Sequence, residues 1–141
     1  MLITTAKNID SKLVMAINRL MPQLTPTQAN VSEDSLNELI ANGASELIIA
    51  QEGEEIVGTL SLIVFTIPTG KKAFIEDVVV DEKHRGKGLA EKMVSEAINL
   101  AKQKSVKRIE LSSRPSRIAA NKLYQKLGFK IRETNFYRLE L

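Results

Sequence analysis

Val78-Val79-Val80-Asp81-Glu82-Lys83-His84-Arg85-Gly86-Lys87-Gly88-Leu89-Ala90 runs from a β-branched triplet through a charged turn into two glycines and the start of an apolar-periodic stretch. Three valines in succession predict a strand buried on both faces. From Gly86 to about Gln103, Leu89, Ala90, Met93, Val94, Ala97, Ile98 and Ala101 recur at helical spacing, with Lys92 and Glu96 on the wet side. The stretch therefore reads as strand, glycine-rich turn, helix. Unpaired N–H groups at a helix start favour an anion, and glycines let a diphosphate approach the backbone closely. A glycine-rich turn that binds nothing is the plainer alternative, and a bare Gly-x-Gly would leave it ahead.

Working outward, Pro68-Thr69-Gly70 turns the chain into Ala73–Val80, and Lys107–Ser112 reads as the next strand. A helix between two strands of one sheet makes a crossover, so these strands should be parallel. Upstream, Glu46–Ala50 and Glu55–Phe65 flank a Gly-containing connection and predict an antiparallel hairpin. Leu2–Thr5 reads as a short strand. Asp10 caps a helix through Leu13, Ile17, Leu20 and Met21 that ends at Pro22, and Ser32 caps a shorter one closed by Gly43. Downstream, Ser116 caps a helix through Ala120, Leu123, Tyr124 and Leu127 ended by Gly128, and Phe129–Leu141 reads as a last hairpin. The expected fold is α+β: a mixed, mostly antiparallel sheet of about six or seven strands with about four helices, in a single domain spanning 1–141.

Composition narrows the chemistry. The 141 residues hold no Cys and one His, so thiolate nucleophiles, disulfides and His-rich metal sites are excluded, and no metal is expected. Carboxylates, hydroxyls and backbone groups remain. No run reaches the roughly 20 apolar residues that span a bilayer, so no membrane partner and a cytoplasmic location are expected. Net charge is +3, with the basic excess lying after Lys83. That suits an anionic partner, either nucleic acid or a small polyphosphate. With aromatic residues at 4% and no recognition motif, a nucleic-acid reading of Lys102, Lys104, Lys107 and Arg108 ranks below a solvated helix end, and no nucleic-acid partner is expected.

Arg85-Gly86-Lys87-Gly88-Leu89-Ala90 resembles the Arg/Gln-x-x-Gly-x-Gly/Ala signature of the GCN5-related N-acetyltransferase family, and Ala120–Phe129 resembles that family's final, Tyr-containing helix. The two motifs reach from about Phe74 to Ile131. The resemblance implies acetyl-CoA as cosubstrate, its pyrophosphate on the backbone of Arg85, Gly86, Lys87, Gly88, Leu89 and Ala90. It implies pantetheine pairing along Val78, Val79 and Val80, and two parallel strands splayed into a V at the thioester. Asn121 becomes a cofactor contact, and Tyr124, which matches the family's frequent general acid, a proton donor to the CoA thiolate. A core tyrosine is the alternative. Many relatives carry Asn at the position of Arg117, which here is assigned to a phosphate instead.

Attack on a thioester needs a neutral amine, whereas an alkylammonium titrates near 10, so a base is required. Ile75-Glu76-Asp77-Val78 resembles the polyamine-acetylating branch, and in a regular strand Glu76 and Asp77 face opposite sides. Glu76 is the candidate base, directly or through water, and Asp77 a candidate substrate contact. Pairing with Lys71 or Lys72 competes for both carboxylates. Ser113, past the strand Lys107–Ser112, is a second candidate substrate contact, or part of a turn. His84, in the polar turn, reads as solvated or near a phosphate and stays outside the catalytic set. The expected partner is a primary amine on a small molecule or peptide. A silent acyl-CoA sensor is the rival from another class, and a homodimer is expected, with Asn135–Leu141 pairing across it.

Overall fold

The computed structural model describes all 141 residues. The chain forms β1 (Leu2–Thr5), α1 (Ser11–Leu24), α2 (Glu33–Ala41), β2 (Ser45–Glu52), β3 (Glu55–Ile67), β4 (Gly70–Val80), a 3₁₀ turn (Glu82–His84), α3 (Leu89–Gln103), β5 (Arg108–Glu110) and α4 (Ile118–Lys126). One sheet runs in sequence order from β1 to β5. Its first four strands are antiparallel neighbours, and β4 and β5 are parallel, as the α3 crossover requires.

Local chemistry accounts for most element ends. The Asp10 carboxylate accepts from Leu13 N–H at 2.8 Å and starts α1, and the Ser32 hydroxyl accepts from Ser35 N–H at 3.1 Å to start α2. Pro22 does not end α1, contrary to expectation: the helix runs to Leu24, and Thr25 N–H still closes on Met21 O. A proline so near the C-terminus deletes one N–H donor and leaves the turns before it intact.

Both faces of the sheet are covered. Ile48, Leu60, Leu62, Ile75 and Val80 pack with Leu89, Met93, Val94 and Ala97 of α3. On the other face Leu47, Ile49, Ile56 and Val79 pack with Leu13, Ile17 and Leu20 of α1 and Leu36 of α2. Adjacent residues of β2 thus serve opposite cores, the period of two that a doubly covered strand needs. Each buried Leu, Ile or Met contributes about 1.5–3 kcal/mol.

Ser116 does not cap α4 as expected: the N-cap is Arg117, with no side-chain hydrogen bond. Two expectations about the sheet also fail. The sheet has five strands, not six or seven, because Phe129–Leu141 forms no strand. β5 is only three residues long, so it offers the tail little edge to pair with. Ile131, Phe136, Tyr137, Leu139 and Leu141 stand in solvent. The regular alternation expected at Glu76 and Asp77 is also broken. Ser61 faces Glu76 and Thr59 faces Val79, so Leu60 opposes both Asp77 and Val78, a β-bulge with Asp77 at φ 51°. The extra residue shifts the parity: Ala73 and Ile75 join the α3 core before the bulge, and Val80 after it, while Val79 joins the α1 core.

Candidate active site

The β4–β5 ladder pairs only Lys72, Ala73 and Phe74 with Arg108, Ile109 and Glu110. From Ile75 onward the edge of β4 toward β5 has no strand partner, and its backbone polar groups are open to hydrogen bonding by an inserted chain. Val78, Val79 and Val80 lie on this stretch; beyond the bulge Val79 and Val80 stay paired with β3 on their other edge, facing Thr59 and Gly58. The expected V between the parallel strands therefore has a structural origin: β5 ends too early to accompany β4.

At the end of β4 the chain turns into α3 through residues 81–88. Gly86 and Gly88 take φ 78° and 75°, the left-handed region, and a side chain at either would be strained although space is open around both. Gly88 is the N-cap of α3 and supplies no side-chain cap, so the first N–H groups of Leu89, Ala90 and Glu91 face the turn without one. Leu89 is buried against the core and fixes the helix start. Arg85 Nε donates to Val80 O at 3.0 Å, folding its side chain back over the strand end. Lys87 lies 3.6 Å from Glu52 at the end of β2.

Of the two places expected for His84, solvent or the neighbourhood of a phosphate, the first is excluded: the ring is mostly buried, with Nε2 3.0 Å from Glu52 Oε2 and Nδ1 without a hydrogen-bond partner. The cause lies in the 3₁₀ turn, which swings the ring inward against the β2–β3 hairpin. Asp81, at 3% exposure, anchors that turn: its Oδ1 accepts from Lys83 N–H at 3.0 Å and its Oδ2 pairs with Arg19 of α1. Burial raises the Asp81 carboxyl, but the Lys83 N–H and the Arg19 guanidinium outweigh it and hold the group below its ordinary value. Arg19 and Asp81 escaped the sequence reading because 62 residues separate them. An acid immediately after a buried valine triplet was the available signal, since such a group needs a cation.

On the far side of the V, a groove of about 710 Å³ opens between β5, α4 and the tail, and Ser112, Ser113, Asn121 and Tyr124 are among its lining residues. The Tyr124 ring packs against the α3 core and meets Phe129 edge-on at 5.9 Å. Burial pushes its phenol above the usual value, with the Arg117 charge offsetting part of the rise. Arg117 reaches across to α1, its Nη2 donating to Leu24 O at 3.3 Å, and Asn121 Nδ2 donates to Arg114 O at 3.0 Å. Ser113 Oγ is buried with no partner. In an apolar setting an orphaned hydroxyl costs about 1–3 kcal/mol, so a ligand group that satisfies it is favoured.

Glu76 and Asp77 do not line that groove. Both are exposed, and neither pairs with Lys71 or Lys72. Partial desolvation against the sheet, then the neighbouring Asp77 charge, raises the Glu76 carboxyl above its ordinary value. The structure therefore gathers Ser113, Asn121 and Tyr124 in one groove, sets the turn 85–90 at the start of α3, and leaves the two carboxylates at the bulge. No group of three or more His, Asp or Glu side chains forms a metal-binding cluster, and no helix is long and apolar enough to cross a membrane.

Along β4 and out of it come, in order, an interrupted parallel pair, a bulge and a glycine turn that opens a helix. The sequence matches the model of the acetyltransferase (GNAT) family over residues 14–129, and the chain belongs to that family. It is 34% identical to the L-2,4-diaminobutyric acid acetyltransferase of Halalkalibacterium halodurans over 60% of this chain and 44% of that protein. Among solved structures, glucosamine-6-phosphate N-acetyltransferase from Arabidopsis thaliana superposes with a TM-score of 0.81 at 22% identity, covering 99% of each chain. A protein of Clostridium acetobutylicum predicted to be an acetyltransferase, crystallised with acetyl-CoA, superposes at 0.77 with 23% identity over 99% of this chain and 95% of that one. The chain spans less than half the length of the curated relatives it matches first.

Proposed function

We propose that the protein is an acetyl-CoA-dependent N-acetyltransferase, a single domain over residues 1–141, that passes the acetyl group directly to a primary amine of a small molecule or peptide. The observation that carries this reading is the unpaired edge of β4 running straight into the uncapped, glycine-rich start of α3. Backbone groups of Val78, Val79 and Val80 bond the pantetheine amides. The N–H groups of the turn from Arg85 to Ala90 hold the pyrophosphate, with Lys87 adding charge. Asn121 contributes its free amide oxygen, since its Nδ2 is already donated to Arg114.

Acetyl-CoA supplies a thioester whose carbonyl carbon accepts the amine. Glu76, or a water it orders, takes the proton that the amine nitrogen loses, and its raised proton affinity makes it a stronger base than an ordinary carboxylate. An N–H near Val78 polarises the thioester carbonyl. As the C–S bond breaks, Tyr124 gives its phenol proton to the thiolate, and its elevated value keeps that proton available through the neutral range. Asp77 and Ser113 meet the acceptor. No cysteine is present to carry an acyl intermediate. The amine acetyltransferase relative supports a small-molecule acceptor, and the reaction is assigned to the cytoplasm.

The test is thiol release from acetyl-CoA across a panel of diamines, amino acids, amino sugars and peptides. Release with one class above the no-amine rate supports the enzyme. Tight CoA binding without release from any amine supports the sensor instead. A homodimer is a further part of the reading: Tyr137, Leu139 and Leu141 alternate on an exposed tail, a strand pattern that the tail of a second copy can pair. Light scattering of the full chain against a form ending at Thr134 checks it, with a dimer expected only for the former.

A further inference from the structure

The turn from Arg85 to Gly88 owes little to itself. Its two glycines are in the left-handed region with open space around them, and α3 begins with no side-chain cap. Its position comes from the 3₁₀ turn before it, and that turn is tied to α1. Arg19 precedes the buried Leu20 in α1 and reaches over the sheet end with both terminal guanidinium nitrogens. Nη1 pairs with the buried Asp81 Oδ2, and Nη2 donates to Ile56 O at 2.6 Å and lies 3.4 Å from Glu55 Oε1. The other Asp81 oxygen accepts from Lys83 N–H, and Asp81 O accepts from His84 N–H at 2.8 Å. One turn further along α1, Gln23 Oε1 accepts from Glu82 N–H at 2.9 Å.

We infer that Arg19 is a positioning residue for the phosphate-binding turn: it holds Asp81, Asp81 holds residues 82–84, and these set the approach of Arg85, Gly86 and Gly88 to the cofactor's diphosphate. The inference rests on the proposed cofactor site. Without the guanidinium, the buried Asp81 carboxylate has only His84 for a cation, its Nδ1 3.9 Å from Oδ1 and charged only if protonated, and the group must leave its pocket for water or take up a proton. Either change frees the 3₁₀ turn, and the two glycines then carry the released freedom into the diphosphate site. The pantetheine edge of β4 is held separately by its ladder with β3, so it is spared.

That separation gives the test. Amide chemical-shift titrations follow coenzyme A and, in parallel, pantetheine, which lacks the phosphates, on the wild type and on Arg19→Met, Arg19→Lys and Gln23→Ala. In Arg19→Met, coenzyme A is expected to weaken by about tenfold or more, a typical coupling between linked sites, while pantetheine is unchanged. Arg19→Lys, which restores a cation for Asp81 but cannot serve Ile56 O at the same time, recovers part of the loss. Gln23→Ala, a change at a half-buried position that keeps a good helix former in α1, gives a smaller loss of the same kind. Unchanged coenzyme A binding in a folded Arg19→Met protein overturns the inference, and so does equal weakening of both ligands, which marks general loosening. If Arg19→Met does not fold, Arg19→Lys and Gln23→Ala decide by the same two criteria. A wild type that binds no coenzyme A removes the proposed site itself, and that arm separates the two failures.

Discussion

The segment from Val80 to Ala90 and the segment from Phe129 to Leu141 are similar in length, and neither belongs to a strand beyond its first residue, yet they end in opposite conditions. The first is fastened from three directions: Arg19 and Gln23 reach it from α1, Glu52 approaches it from β2, and Leu89 sinks into the core behind it. The second makes no backbone hydrogen bond after Phe129, and its apolar side chains are bare. What separates them is the supply of partners. A turn full of polar groups is ordered when each buried group finds its complement, whereas alternating apolar residues stay unpaired where no sheet edge long enough receives them.

Tyr124 stands at the joint between these conditions, anchored in the α3 core and touching the first aromatic residue of the tail. Tyr124→Phe keeps the ring and loses the acid, so turnover is expected to fall about 10²- to 10⁴-fold with little change in melting. Unchanged turnover in steady-state thiol release would remove the acid role. Next in size, Leu89→Ala in the fastened segment is expected to cost about 2–5 kcal/mol in urea unfolding. The same truncation in the tail, Leu139→Ala, belongs at the bottom of the scale, within about 0.5 kcal/mol for the protomer. Equal costs would erase the contrast.

Between those extremes lie two pH effects of opposite sign. The Asp81 carboxyl is lowered in the folded state, so its contribution is present above the ordinary carboxylate value and disappears as pH falls through the folded one. Asp81→Asn is therefore expected to flatten the acid limb of stability, read from urea midpoints across the acid range. Glu76 is raised, so the stability it contributes is complete below the ordinary value and lost as pH climbs through the raised one. Glu76→Gln should leave the protein slightly more stable at neutral pH while abolishing the acid limb of kcat/KM. A stabilised Glu76→Gln variant with an unchanged pH profile would dismiss it as the base and leave the bulge as its only distinction.

The same contrast explains what the amino-acid order discloses. Helix starts at Asp10 and Ser32 were legible because cap and capped N–H lie three residues apart. The β2–β3 hairpin and the α3 crossover were legible because apolar periodicity and a glycine turn are local. The bulge at Asp77 was not: it depends on how Thr59–Ser61 meets Glu76–Val79 across the sheet. Nor was the length of β5, which stops at Glu110 while β4 runs on to Val80. The turn from Arg85 to Ala90 could be read as a chemical motif, while its fastening to Arg19 could not, because the two halves of that ion pair sit on separate elements. The tail shows the converse, a clear strand pattern in Phe136–Leu141 without a partner in the same chain.

The central claim is that the segment fastened between β4 and α3 binds the diphosphate of acetyl-CoA, and melting with and without that ligand tests it most directly, with ATP and a short DNA duplex as controls. At a ligand concentration about 100 times Kd, binding adds about 2.7 kcal/mol, a rise of several degrees for a domain of this size. A rise with acetyl-CoA and not with the duplex is the predicted result. A melting temperature that acetyl-CoA leaves unmoved, or that only the duplex raises, would contradict the account.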